Sequence, residues 1–531
     1  MHEKGDVIMG KKMYYHSRSI PLESLRMDTH TAKQCYENML TRTLTDECLP
    51  KLKNYGIEIV ELRCVWAEIE REEGVFDLSR IKNDIKILKE NGIGVGIFPW
   101  FQYPPAWVKD ITMLKCAVHG IENTVMSLWD EKTLEAYDRL YEMLKRELGD
   151  DIDFIYAGIY GDFGEVCTVD KNHHYHFMSK ENHKCLWCGD ELARRDYKNY
   201  LVNKYETIEK LNEAWETSVK SFDDELINIE GNVTLKLDFS RWYDNALLEF
   251  ADKVCAIIRK HFPDVRIGLP IGHPDEHLEA QMIKSQSAKI AAKHNMYARW
   301  TGLLFRGSFA RNHMLARRVS TAAKFYGAEF GVEAALILNK ETAFDAIYET
   351  ISNNATLLHN DPGNIIRAEE IYNQFKAMDI EEPFTSDLAV FYPVEAEQCK
   401  LLDVKAFYDE MGFFRKRRDY EIADSYMIKD GYLKTVKKLL LAKNTIITKD
   451  TLSDIEDFIK DGGICYVVES FEPTVLETGE KVTVGEKIEG YDFFGEEKEV
   501  FYTDHGSYIT EYVPHEGRIN HIDKRDGGLL L

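Results

Sequence analysis

The stretch Ile152-Asp153-Phe154-Ile155-Tyr156-Ala157-Gly158-Ile159-Tyr160-Gly161-Asp162-Phe163-Gly164-Glu165 decides how this chain is read. Its first half, Ile152 to Ile159, is an apolar run of strand type. Its second half ends in a carboxylate just past that strand, where barrel enzymes carry their chemistry. The pattern recurs at Phe330 to Val332, a second strand-like run followed by Glu333. Two such glutamates in one β/α chain suggest a carboxylate pair that cleaves a glycosidic bond.

Strand-like and helix-like segments alternate from about Leu49 to Asn364. Ile57 to Val65 is apolar and ends at Trp66. Ile81, Ile85 and Leu88 share one helix face that Gly92 closes. Gly94 to Phe98 is the next strand. Leu134 to Leu148 is an amphipathic helix, and Leu247 to His261 another. Val265 to Ile271, Tyr297 to Phe305, Glu329 to Glu333 and Thr356 to His359 follow as strands. Repeated strand-then-helix units argue for parallel strands, and eight of them close into a (β/α)8 TIM barrel. The expected class is therefore α/β, with a barrel over 1–383 and an inserted loop region at about 167–232. After Glu382-Pro383 the pattern restarts as a smaller α/β unit over 384–470. A β-rich segment, 471–531, completes the chain.

Composition limits the partners. The 531 residues exceed one core, and 44% hydrophobic content supports two or three domains. A formal net charge of −24 disfavours nucleic acid and anionic membranes, so a small neutral or cationic ligand is expected. No apolar run is long enough to span a membrane. Met1 to Lys12 has no apolar h-region, and ten scattered cysteines form no disulfide framework, so the expected location is cytoplasmic.

Several passages resemble family 42 glycoside hydrolases. They are Tyr55-Gly56-Ile57 with Arg63, Trp66 and Glu70; Glu73 to Asp77; Pro104-Pro105-Ala106-Trp107; and, in the insert, Lys204 to Trp215. The resemblance covers roughly residues 50 to 470. It implies a retaining β-galactosidase or close β-glycosidase, with Glu165 as acid/base after the fourth strand and the nucleophile after the seventh. It also implies that the α/β unit is a trimerisation domain of glutamine-amidotransferase-like, flavodoxin-like fold, and hence a homotrimer. Arg63 matches an arginine that supports the nucleophile. Where the family usually has an Asn that binds the sugar 2-OH, this chain has Gly164. Asp162 is then the candidate for that contact, and the Gly-Glu pair is closer to inverting β-amylases.

Glu329 and Glu333 share strand parity, so both are candidates for the nucleophile; Glu333 is expected at the strand's C-terminal end. Trp66, Trp100, Trp107 and Trp300 fall at or near strand ends, where indole faces suit a pyranose; filling core is the alternative for each. No cofactor is expected for catalysis. The resemblance implies a structural zinc on Cys116, Cys185 and Cys188, with Cys167 or His183 as fourth ligand. Free cysteines beside a cleft are the other reading. His173, His174 and His176 add metal-like composition or a sugar-contacting loop. The competing functions are a β-mannosidase, a β-amylase-like hydrolase, a carbohydrate-binding pseudoenzyme, and an amidotransferase built on Cys399. The last lacks the expected glycine-flanked nucleophile turn.

Overall fold

The structure is a computed structural model; it describes residues 14–19, 49–54, 56–161, 163–168, 186–272, 283–303, 309–334, 340–360, 383–514 and 518–524. Eight strands form a closed, all-parallel barrel in chain order: β1 (Tyr14–Ser19), β2 (Ile57–Val65), β3 (Gly94–Trp100), β4 (Phe154–Tyr156), β5 (Arg266–Ile271), β6 (Tyr297–Leu303), β7 (Glu329–Ala334) and β8 (Leu357–Asn360). β1 was not anticipated, because Tyr14-Tyr15-His16-Ser17-Arg18-Ser19 carries no apolar run. It nevertheless closes the ring by pairing with both β8 and β2.

β4 is shorter than its apolar run suggests. A Cβ at Gly158 would lie 1.7 Å from the Pro99 carbonyl oxygen, so the backbone here runs against β3 where no side chain fits. The chain leaves regular pairing after Tyr156 and keeps single bonds to its neighbours. Ala157 N–H donates to the Gly268 carbonyl at 2.8 Å.

The helix Glu131–Leu148 starts on Asp130, whose carboxylate accepts from Lys132 N–H. Its buried face runs Ala136, Leu140, Leu144 and Leu148, at i, i+4 spacing. The helix read as Leu247 to His261 extends instead over Val233–His261. Asp238 and Asp244 hid its first turns, because both are charged residues at buried positions. Asp238 accepts from Tyr205 Oη at 2.5 Å and Trp215 Nε1 at 2.8 Å, and pairs with Lys204. The ends of the Lys204-to-Trp215 motif thus meet on one buried carboxylate, which holds the insert's helices Glu191–Tyr205 and Ile208–Trp215 on the long helix. Gln398 Nε2 satisfies Asp244 at 2.7 Å.

The second unit is a five-stranded parallel sheet of β9 (Leu388–Tyr392), β10 (Glu421–Asp424), β11 (Lys438–Leu441), β12 (Ile464–Val468) and β13 (Glu486–Ile488). Its order, β10-β9-β11-β12-β13, is the 2-1-3-4-5 order of flavodoxin-like sheets. β13 lies beyond residue 470, so the sheet continues past the boundary drawn from the change in composition. An antiparallel three-stranded tail follows at Phe501–Asp504, Tyr508–Val513 and Arg518–Asp523. Cys399 is fully buried, and burial pushes its thiol up to about 12, which removes it as a nucleophile.

A buried ionic knot joins barrel, sheet and tail. Arg317, on the barrel helix Phe309–Tyr326, donates to both Asp419 oxygens at 3.1 and 3.0 Å. Thr503 of the tail donates to Asp419 at 2.7 Å. Arg415 donates to Glu349 of the barrel helix Lys340–Ser352 at 2.5 Å, and His313 Nδ1 lies 3.3 Å from Glu349. Burial opposes ionisation of Asp419, but Arg317 and Arg415 outweigh it and hold the carboxyl below its usual range. Burial, then Arg415 and Arg317, push the His313 imidazole well below 6.5, so it is neutral in the fold.

Asp419→Ala leaves two buried guanidinium groups short of a partner, and a loss of about 3–5 kcal/mol is expected by urea denaturation. In the wild type, unfolding lets His313 take up a proton below pH 6.5. Asp419 adds a loss only at more acid pH, below the ordinary carboxylate range. Through His313 the urea midpoint should therefore fall as pH drops from 6.5.

Candidate active site

Glu165 is fixed by a tight reversal after β4. Ile159 N–H donates to the Gly164 carbonyl at 2.8 Å, and Tyr160 N–H to the Glu165 carbonyl at 3.2 Å. The chain then runs beside the end of β5, where Val166 N–H donates to the Pro270 carbonyl at 2.8 Å. Three further bonds pin the loop. Tyr137 Oη donates to the Ile159 carbonyl at 2.7 Å, Gln102 Nε2 to that of Gly161 at 3.2 Å, and Tyr160 Oη to that of Met126 at 2.5 Å. Glu165 is 6% exposed.

Gly164 has φ +73°, and a Cβ there would sit 3.0 Å from the Phe98 ring and 3.2 Å from Trp100. This conformation and crowding explain why no asparagine stands at 164. Asp162 lies outside the described residues.

Glu333 stands at the C-terminal end of β7, in register with Thr301 on β6 and His359 on β8. Glu329 has the same parity but opens the strand at the opposite end of the barrel, where Thr356 Oγ1 donates to it at 2.8 Å. Of the two, Glu333 is the one on the face that carries Glu165. The guanidinium that pairs with Glu333 is Arg299 of β6. Arg63, expected in that role, lies with its guanidinium 3.9 Å over the Trp100 ring.

The tryptophans divide. Trp100 has inward parity at the top of β3 and packs edge-on against Phe163, which is 36% exposed beside it. Trp66, expected at the sugar, is instead core: it is 1% exposed and its Nε1 donates to Glu70 at 2.6 Å. Trp107 likewise donates to the Glu70 carbonyl at 2.8 Å. Trp300 is also corrected. It alternates with the inward Arg299 and Thr301, so it faces outward into the helical layer and is fully buried.

Lys284 was not anticipated. It opens the helix Lys284–Lys293, is 1% exposed, and donates to the Gly272 carbonyl at 2.6 Å. Gly272 touches the site: a Cβ there would meet Cys167 Sγ at 2.8 Å and Glu165 Oε2 at 3.0 Å. Burial pushes the Lys284 ammonium down to about 8, against the opposing charges of Cys167, Glu397 and Glu165. A cation there favours the ionised form of Glu165.

Cys116 and Cys188 come from adjoining segments. Ala117 N–H donates to the Leu186 carbonyl at 2.8 Å, and Gly189 N–H to that of Lys115 at 2.7 Å. His119 Nδ1 lies 3.4 Å from Cys116 Sγ. The thiol of Cys167, the other described candidate, packs 4.0 Å from Glu165 Oε2. Cys185, His183, His173, His174 and His176 lie outside the described residues, and among the described residues no three donors converge as a metal site. The soft donors in these adjoining segments suit zinc chemically.

Sequence reading missed Glu61, Arg299, His359, Lys284 and His119. The first three had a signal: a charged or ionisable residue inside an apolar strand run must face a polar interior.

Carboxylates at the C-terminal end of β7 and on the loop after β4 are the arrangement of a barrel-type glycoside hydrolase. Residues 36–301, half of the chain, match the Beta-galactosidase profile of glycoside hydrolase family 42, and the chain belongs to that family. The beta-galactosidase LacZ of Heyndrickxia coagulans is 23% identical over 231 residues, 41% of this chain and 32% of the relative. The thermophilic beta-amylase of Thermoanaerobacterium thermosulfurigenes is 24% identical over 275 residues, 46% of this chain and 47% of the relative. The matches thus span between a third and a half of these relatives. The crystal structure of a beta-galactosidase from the psychrophilic Marinomonas ef1 shares the fold, with a TM-score of 0.63 at 13% identity over 94% of this chain and 95% of that one. Among the described residues no helix is long and apolar enough to cross a membrane.

With Glu165 as proton donor, Lys284→Met removes the cation that favours its ionisation. The basic limb of the kcat/KM profile should then move to higher pH, read on an aryl glycoside.

Proposed function

We propose that the chain is a retaining exo-β-glycosidase of β-galactosidase type, acting on terminal sugars of small oligosaccharides. The observation that carries this reading is the unlike setting of two buried carboxylates on one barrel face: Glu333 paired with Arg299, Glu165 on a pinned loop. The pairing favours the ionised form of Glu333, which suits a nucleophile. In the first step Glu333 attacks the anomeric carbon, the glycosidic C–O bond breaks, and Glu165 gives its proton to the leaving oxygen. In the second, Glu165 takes a proton from water, which displaces Glu333 from the sugar. Phe163 offers aromatic surface at the mouth, with Trp100 packed behind it. A net charge of −24 suits an uncharged substrate.

An inverting, β-amylase-like reaction is the second reading. It is favoured by Gly164 before Glu165 and by the similarity to a beta-amylase. A β-mannosidase remains a variant of the first reading. The resemblance also supports a structural zinc held by Cys116, Cys188 and Cys185, with His119 as the donor nearest Cys116. That metal would tie the hairpin Met113–Lys115/Glu122–Met126 to the insert and take no part in bond breaking. The flavodoxin-like unit supports a homotrimer by resemblance to trimerisation domains.

Glu333→Ala should abolish turnover on every substrate, and a 2-fluoro glycoside should label Glu333 in the wild type. Glu165→Ala should spare activated aryl glycosides and respond to azide. Inverted product by NMR with no label would replace this reading with the β-amylase-like one. Elemental analysis and light scattering of the same preparation should give about one zinc per chain and three times 61.6 kDa.

A further inference from the structure

Four ionisable side chains cross the barrel interior as one chain. Glu61 Oε2 of β2 lies 3.1 Å from His359 Nε2 of β8. His359 Nδ1 lies 2.9 Å from Arg299 Nη1 of β6, and the same nitrogen pairs with Glu333 Oε2 of β7. Arg299 Nη2 donates to Thr301 Oγ1 at 3.2 Å. The four exposures are 1%, 0%, 0% and 3%. Gly331 stands in register with Arg299 on the strand between β6 and β8, so no side chain blocks the guanidinium. The Tyr156 ring stacks on the imidazole at 4.5 Å and 23°, which fixes its plane.

The hydrogen positions follow from the donors. A guanidinium only donates, so His359 Nδ1 must accept. The imidazole proton therefore sits on Nε2, facing Glu61. A cationic His359 would set an N–H against an Arg299 N–H, which this geometry forbids.

We propose that Arg299, His359 and Glu61 are positioning residues for Glu333; the inference rests on Glu333 being the nucleophile. Arg299 holds Glu333 by its Oε2 and so sets the orientation of the carboxylate that attacks. When that oxygen bonds to the sugar, Glu333 becomes an ester and loses its charge. The Arg299 guanidinium then loses one of its anionic neighbours, and Glu61, 3.1 Å beyond the neutral imidazole, offsets that change. The chain thus serves both the free carboxylate and the covalent intermediate.

The test uses the full chain. Arg299→Met should lower kcat about 10–100-fold with little change in KM, and slow 2-fluoro glycoside labelling in proportion, with the label still on Glu333. Glu61→Gln should slow labelling and speed reactivation of the labelled enzyme, because the intermediate loses its balancing charge. If Arg299→Met does not fold, Glu61→Gln decides, together with 15N NMR of the wild-type imidazole. That spectrum should show Nδ1 unprotonated and the proton on Nε2. Label on Glu333 with variant kinetics equal to wild type, or a protonated Nδ1, overturns the positioning role alone. Label on another carboxylate overturns the nucleophile reading and this inference with it.

Discussion

A guanidinium sealed inside a barrel must meet carboxylates, and in this protein that demand organises the site. Arg299 is fully buried, so its charge is tolerable only beside Glu333 and within reach of Glu61 through His359. The requirement fixes the register of three strands. β6 must present residues 299 and 301 inward, β7 residue 333, and β8 residue 359. A one-residue slip of β7 would turn Glu333 into the helical layer and strand the cation. The packing inside the barrel and the ionisation of the site are therefore the same constraint.

A second demand of this kind joins the domains. Arg317 and Arg415 are buried where barrel helices meet the flavodoxin-like unit, and Asp419 and Glu349 answer them across the junction. Arg318 adds a guanidinium 3.6 Å from the Tyr392 ring of β9. Buried charge pairs contribute little net stability but penalise every mispaired arrangement. The two pairs thus bind the unit to the barrel by matched buried charges.

The sequence was most legible where one signal dominated. Ile57 to Val65 and Val265 to Ile271 are apolar-rich runs, and both are barrel strands close to their expected bounds. Parity placed Glu333 and Glu329 on one side of the same strand, with Glu333 at its C-terminal end. Reading failed where tertiary context overrode type. Tyr14–Ser19 is polar yet closes the ring, because two neighbours supply its hydrogen bonds. Trp300 was chosen for its residue type and position near a strand end, but the alternation that turns Arg299 inward turns it outward. Trp66 starts a helix, and its indole serves Glu70. Lys284 carried no signal at all, since its neighbour in space is the carbonyl of Gly272, twelve residues earlier.

Gly164 links the fold to the chemistry that remains to be distinguished. The residue before Glu165 must be in the left-handed region and must leave room for Phe98 and Trp100. A side chain there could contact a sugar only if those rings withdrew. Trp100 cannot withdraw freely, because Arg63 covers one part of it and Phe163 and Tyr103 pack around the rest. The acid loop therefore holds Glu165 by backbone bonds and aromatic packing, without a polar side chain next to it in sequence. Any hydrogen bond to the sugar near the acid must come from a residue other than 164. On the proposed assignment, the stereochemistry of cleavage depends on how far the surrounding loops let water approach the anomeric carbon opposite Glu165, which sets whether Glu333 attacks directly or activates a water.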